Sequence, residues 1–157
     1  MRWLAGIAAG VALSLAACQP AAPVAAAPAI AESGLALVPL TVSGPSGSHR
    51  FTVELARTPA DQAKGLMFRR SLAPDRGMVF PFAQPEQATF WMHNTLIPLD
   101  LIFIRADGSI ANIAANARPL DTSMIPSAGM VTAVLEIPGG RAAELGIQAG
   151  DRVDWAR

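Results

Sequence analysis

The residues best equipped for chemistry lie in "FWMHNTLIPLD", Phe90 to Asp100, where an aromatic ring, an indole, a thioether, an imidazole, an amide and a hydroxyl occupy positions 90–95. Read as an extended strand, Thr89, Trp91 and His93 share one face and Phe90, Met92 and Asn94 the other, so polar and apolar side chains mix on both sides. That mixture suits a groove for a small ligand or a protein partner. Trp91 and Met92 would give apolar contact, Asn94, Thr95 and Asp100 orienting hydrogen bonds, and Arg69 or Arg118 a charge contact. A purely structural role is the competing reading: Phe90 and Met92 as core, Trp91 covering its edge, and Asn94 and Thr95 bonding backbone at the strand end.

Two carboxylates add an acid–base possibility. Asp100 falls on the face of Ile102 and Ile104 in "LDLIFI", and Glu136 ends the apolar run "MVTAVLE". An unpaired buried charge costs several kcal/mol, so Asp100 is expected at an exposed strand mouth or paired with Arg69, Arg70 or Arg118. Should Asp100 and Glu136 converge near His93, one could hold a raised pKa and serve as general acid or base. Such a protein would be an envelope hydrolase acting on cell-wall material, with His93 or Asn94 orienting substrate and Asp121 joining from a loop. No activated serine or cysteine is present, and "GxSxG" is absent.

Met67, Met78, Met92, Met124, Met130, His49 and His93 carry ligand types that suit Cu(I), which makes a periplasmic copper-binding protein a second alternative. They form no Met-x-x-Met or His-x-x-His cluster, and methionine commonly fills cores. One cysteine and two distant histidines do not make a zinc site. No cofactor is expected.

The elements that must position these residues begin after a leader. "MRWLAGIAAGVALSLAACQP" has a basic start at Arg2, an apolar run from Leu4 to Leu15 and small residues before the chain's one cysteine, Cys18. The run is shorter than the ~20 residues of a spanning helix and reads as a secretory signal over 1–17. "LAAC" resembles a lipoprotein lipobox, which implies lipidation of Cys18 and explains a cysteine without a disulfide partner. With Gln19 following, the resemblance implies anchoring in the outer membrane, facing the periplasm. Residues 18–33 are the lipidated cysteine and an Ala/Pro-rich tether in which Pro20, Pro23 and Pro28 interrupt helix.

The remaining 34–157 is one domain by length. Without Arg2, 11 Lys and Arg face 12 Asp and Glu, a near-neutral balance without basic runs that gives no electrostatic basis for nucleic-acid binding. The expected partners are the membrane, through the lipid, and an unknown small ligand or envelope protein.

Within the domain, "LALVPLTV" and "HRFTVEL" around "SGPSGS" predict a hairpin. Thr58, Pro59 and Asp61 predict the capped start of a short helix ended by Gly65. "GMVFPF", "ATFWMHN" and "LDLIFIR" read as strands, and Asp107–Gly108 as a hairpin turn into "SIANIA". Residues 116–129, with two prolines, read as a long loop. "MVTAVLEI" follows as a strand, "GGRAAELGI" as one or two helical turns and "AGDRVDW" as a turn into the last strand. The sum is an α+β, mainly β domain: a small bent or barrel-like mixed sheet with two short helices. The ending resembles that of a PDZ domain, but the Gly-rich carboxylate-binding loop of that fold is missing near the start.

"GLMFRRSL", "GMVFPF", "FWMHNTLIPLD", "VLEIPGG" and "GIQAGDRV" occur in the order seen in the DUF192 family, also called UPF0127. The resemblance covers Val53 to Val153 and implies a compact mixed α/β or β-barrel-like fold, without implying a reaction. The chain departs from the pattern at His93, where the family usually has lysine, and in containing no tyrosine, which the family often carries after "PLD".

Overall fold

The computed structural model describes residues 30–156, so the leader, Cys18 and most of the tether lie outside the described residues. Among those residues no helix is long and apolar enough to cross a membrane. Nine strands and two short helices follow one another: β1 (Leu37–Gly44), β2 (Gly47–Leu55), α1 (Pro59–Lys64), β3 (Arg76–Glu86), β4 (Thr89–Phe90), β5 (Leu99–Ile104), β6 (Ile110–Ala117), β7 (Ile125–Pro126), β8 (Val131–Pro138), α2 (Arg141–Leu145) and β9 (Arg152–Trp155). Seven strands form one sheet in the order β6-β5-β8-β3-β2-β1-β9, and β4 pairs with β7 in a small second sheet.

The expected α+β, mainly β single domain is thus present. Its main sheet is mixed because β2 and β3 run parallel, joined through α1, while the other neighbours are antiparallel. The sheet is open, but a bridge between Ser109 and Arg152 brings its two ends together. The backbone supports that approach: Ile110 N–H donates to the Asp151 carbonyl and Val153 N–H to that of Gly108, both at 2.8 Å.

Local chemistry explains the elements that matter for the site. Thr58 caps α1, its hydroxyl accepting the Asp61 N–H at 3.1 Å and donating to the Asp61 carboxylate at 2.6 Å. All six residues of β5 and most of β8 are buried, which accounts for their nearly continuous apolar runs: strands covered on both faces have no solvent side to alternate toward. One face carries Val79, Ile102, Leu135 and Ile137 in a core with α2. The opposite face carries Met78, Phe80, Leu101, Phe103 and Val134, packed with Leu66, Ala88 and Met92.

Two sequence expectations are corrected. The strand expected over "ATFWMHN" stops at Phe90. From there the backbone bonds to the supposed loop: Met92 N–H donates to the Asp121 carbonyl at 2.9 Å and Leu120 N–H to Thr95 at 3.0 Å, while Asn94 turns the chain with φ 55°. The loop over 116–129 is in turn partly structured, containing the end of β6 and all of β7. Ser127 fastens it, its N–H donating to the Ala88 carbonyl at 2.9 Å and its hydroxyl accepting the Ala88 N–H at 3.0 Å.

Candidate binding site

A cavity of about 310 Å³ opens on the second face of the sheet, between the end of α1, the following turn and the Phe90–Thr95 segment. Phe80, Phe82, Phe90 and Trp91 supply its aromatic lining, Met67 and Leu66 further apolar surface, and Lys64 a cation at the exposed rim. Phe90 packs edge-on against both Phe80 and Phe103, with ring centroids 5.3 and 6.2 Å apart, which fixes the aromatic side of the cavity.

Glu136 also lines the cavity. Pairing across the sheet sets Glu136 beside Met78 of β3 and Leu101 of β5, so its side chain shares their apolar face and is only 5% exposed. Among the described residues no hydrogen bond or ion pair reaches its carboxyl group. Burial alone pushes its pKa up to about 8, and the group is therefore mostly protonated at neutral pH. Gly77 makes the strand approach possible here, because a Cβ on it would collide with the Glu136 carbonyl.

Asp100 behaves quite differently. It lies opposite Ile137 on β8, one residue from the Leu101–Glu136 pair, and successive side chains alternate between faces. The sheet therefore separates Asp100 from Glu136, and the two do not form an acid–base pair. Asp100 is fully buried and, among the described residues, pairs with no arginine. Its carboxylate instead accepts three backbone N–H groups, from Asn116 at 2.6 Å, Gly140 at 2.9 Å and Ala142 at 2.7 Å. These bonds tie "PLD" to the "PGG" turn that opens α2, where Gly140 takes a left-handed φ of 83°.

The other expected site residues divide between the cavity and its surroundings. Trp91 and Thr95 line it. Thr95 is buried, and its hydroxyl donates to the His93 carbonyl at 3.3 Å. Met92 belongs to the core and Asn94 to the turn. His93 is exposed and stacks beside Trp91, ring centroids 5.0 Å apart. Arg69 pairs with Glu54 at 2.8 Å, and Arg118 lies 3.7 Å from Asp121; neither lines the cavity. Asp121 is held by its own loop, the Ser123 N–H lowering its pKa.

The residues named for copper are spread out. Met67 is at the cavity, Met78 and Met92 are in the core, Met124 and Met130 are exposed, and His49 contacts Ser46 at 3.3 Å on β2. Among the described residues no three His, Cys, Asp or Glu side chains gather as a metal site.

Sequence reasoning missed Gln62, Lys64, Phe80 and Phe82 as lining, and it missed the backbone around the mouth. Phe68 and Leu120 have φ 65° and 62°, and their N–H groups donate to the adjacent carbonyls of Asn94 and Thr95. Each side chain is largely exposed, at 63% and 59%. Bulky residues in left-handed backbone cost roughly 1–2 kcal/mol, so the fold holds two apolar side chains outward against local preference. No periodicity signals this. Leu120→Gly should therefore raise the unfolding free energy by about 0.5–1 kcal/mol in urea denaturation, whereas a loss of stability would show that the side chain contributes more than its backbone costs.

Comparison with known proteins places this architecture in a group without an assigned activity. The family model DUF192, described as "Uncharacterized ACR", matches residues 41–155. A crystal structure of a protein of unknown function from Novosphingobium aromaticivorans DSM 12444 is 58% identical, with a TM-score of 0.81, covering 83% of this chain and 94% of that one. A second, from Sinorhizobium meliloti 1021 and described as a "putative transcription regulator", is 41% identical with a TM-score of 0.75, covering 77% and 95%. No curated protein matches. The chain belongs to the DUF192 family.

Proposed function

We propose that this protein is a lipid-anchored accessory module of the bacterial envelope that binds a small ligand in the Trp91 cavity. The observation that carries the binding reading is the cavity itself: a largely apolar, aromatic recess with one unpartnered carboxyl group, the composition expected of a site that orients a ligand by a few polar contacts. Trp91 and Leu96, and Phe68 and Leu120 whose N–H groups bond the Asn94 and Thr95 carbonyls, are exposed although they are large and apolar, as at a contact surface. The hydrolase alternative retains a proton donor in Glu136, but no second carboxylate and no histidine is among the cavity's lining residues.

Trp91 is 47% exposed, so Trp91→Ala should change stability by less than about 1 kcal/mol while weakening a ligand at least about tenfold. A thermal-shift screen of the full chain against wall fragments, sugars, peptides, nucleotides and organic ions measures this. A hit that Trp91→Ala leaves unchanged would move the site elsewhere.

The anchor rests on residues 1–33, with export by the leader and lipidation of Cys18. Mass spectrometry of the membrane-extracted chain should give a diacylated species beginning at Cys18, and a free Cys18 thiol would remove the anchor.

A further inference from the structure

We infer that the cavity selects an organic cation, an amine or quaternary ammonium group, held by the Glu136 carboxylate among the aromatic side chains of Phe80, Phe82, Phe90 and Trp91. The inference rests on the binding role proposed for this cavity and gives its ligand class.

Three observations support a cation over other ligands. First, Glu136 is buried, lines the cavity and has no partner among the described residues, so a ligand cation there would satisfy its ionised form. Second, the cavity is poor in free donors. The Gln62 amide N–H groups are spent on the carbonyls of Ala56 and Pro81, at 3.1 and 2.8 Å, and the Thr95 hydroxyl on that of His93. An anionic ligand would meet only Lys64 and the Thr89 hydroxyl, both on exposed residues. Third, aromatic rings favour positive charge through their quadrupoles, a term that a cation gains in addition to the apolar contact open to any ligand.

The charged neighbours leave this place open. Lys64 is the sole charged side chain besides Glu136 among the lining residues. On β2, Glu54 occupies the same cross-sheet row beyond Met78, but it is engaged by Arg69 at 2.8 Å and by the Ser33 hydroxyl at 2.5 Å. β5 presents Leu99, Leu101 and Phe103 on this face, and His93 is turned outward beside Trp91.

A cation would take the place of the proton on Glu136. Each binding event then releases one proton, and affinity rises about tenfold per pH unit until Glu136 ionises unaided near pH 8.

The test uses detergent-solubilised full chain and two probes of similar shape, benzyltrimethylammonium, whose charge does not depend on pH, and benzyl alcohol. Calorimetry between about pH 6 and 8.5, in buffers of different ionisation heat, should show cation affinity rising about tenfold per unit with release of about one proton. Glu136→Gln should lose that slope and at least about tenfold in affinity at pH 8.5, while Trp91→Ala weakens the cation and leaves the slope in place. Benzyl alcohol binding as tightly as the cation at pH 8.5 overturns the cation assignment and leaves the cavity as a binding site. A pH-independent cation affinity equal in Glu136→Gln overturns it as well. Binding of neither probe also overturns it, and the Trp91→Ala screen then decides separately whether the cavity binds anything.

Discussion

Asp100→Ala should lose about 3–5 kcal/mol of folding stability. The substitution removes a buried carboxylate that accepts N–H groups from Asn116, Gly140 and Ala142 and leaves those three donors without their acceptor. Each orphaned buried donor costs about 1–3 kcal/mol, and partial collapse of the site keeps the sum below the maximum. Asp100→Asn should cost less, about 2–4 kcal/mol, since an amide keeps one acceptor oxygen but turns an NH2 group toward backbone donors. Urea unfolding followed by tryptophan fluorescence measures both. Losses under about 1 kcal/mol would mean that water or a rearranged turn replaces the carboxylate, and the account of "PLD" as the fastening of the "PGG" turn would fail.

Glu136 should make stability fall with rising pH, the reverse of a carboxylate held in a salt bridge. Its ordinary pKa of 4.5 applies to the unfolded chain, while burial raises it to about 8 in the fold. Between these values the native state holds a proton that the unfolded state has released. The stabilisation is therefore complete below 4.5 and disappears as pH rises through about 8, at about 1.4 kcal/mol per unit. Glu136→Gln cannot ionise and should lack this component, becoming more stable than the native sequence by about 3–5 kcal/mol at alkaline pH. The informative quantity is the difference between the two proteins across pH 5 to 9, because other titrating groups cancel in it. Parallel stability curves would show that Glu136 reaches water or a partner in the folded protein.

These expectations separate two carboxylates that look alike in sequence. Asp100 and Glu136 each interrupt an apolar strand, and periodicity alone makes them equivalent. One is a structural acceptor and the other an unsatisfied acid because β5 and β8 pair with Leu101 opposite Glu136, which sends Asp100 to the other face. A register shifted by one residue would have exchanged the partners of every side chain on the strand.

Local elements whose signals act over a few residues are legible in the chain. Thr58 and Asp61 cap α1, Asp107–Gly108 turns β5 into β6, and the first hairpin closes between Gly44 and Gly47. Trp91 and Thr95, expected as ligand contacts, and Glu136, expected as an acid, all line the cavity. Tertiary structure alone decided where the strand at Phe90 ends, because the hydrogen bonds that end it come from residues 120 and 121. It decided too that Arg69 serves Glu54, that Phe68 and Leu120 are held outward, and that Phe82 and Lys64 join Trp91 around Glu136. The physical reason is common to all of these: a cap or turn is satisfied by neighbours in the chain, whereas a cavity exists only where the register of distant strands brings side chains to the same face.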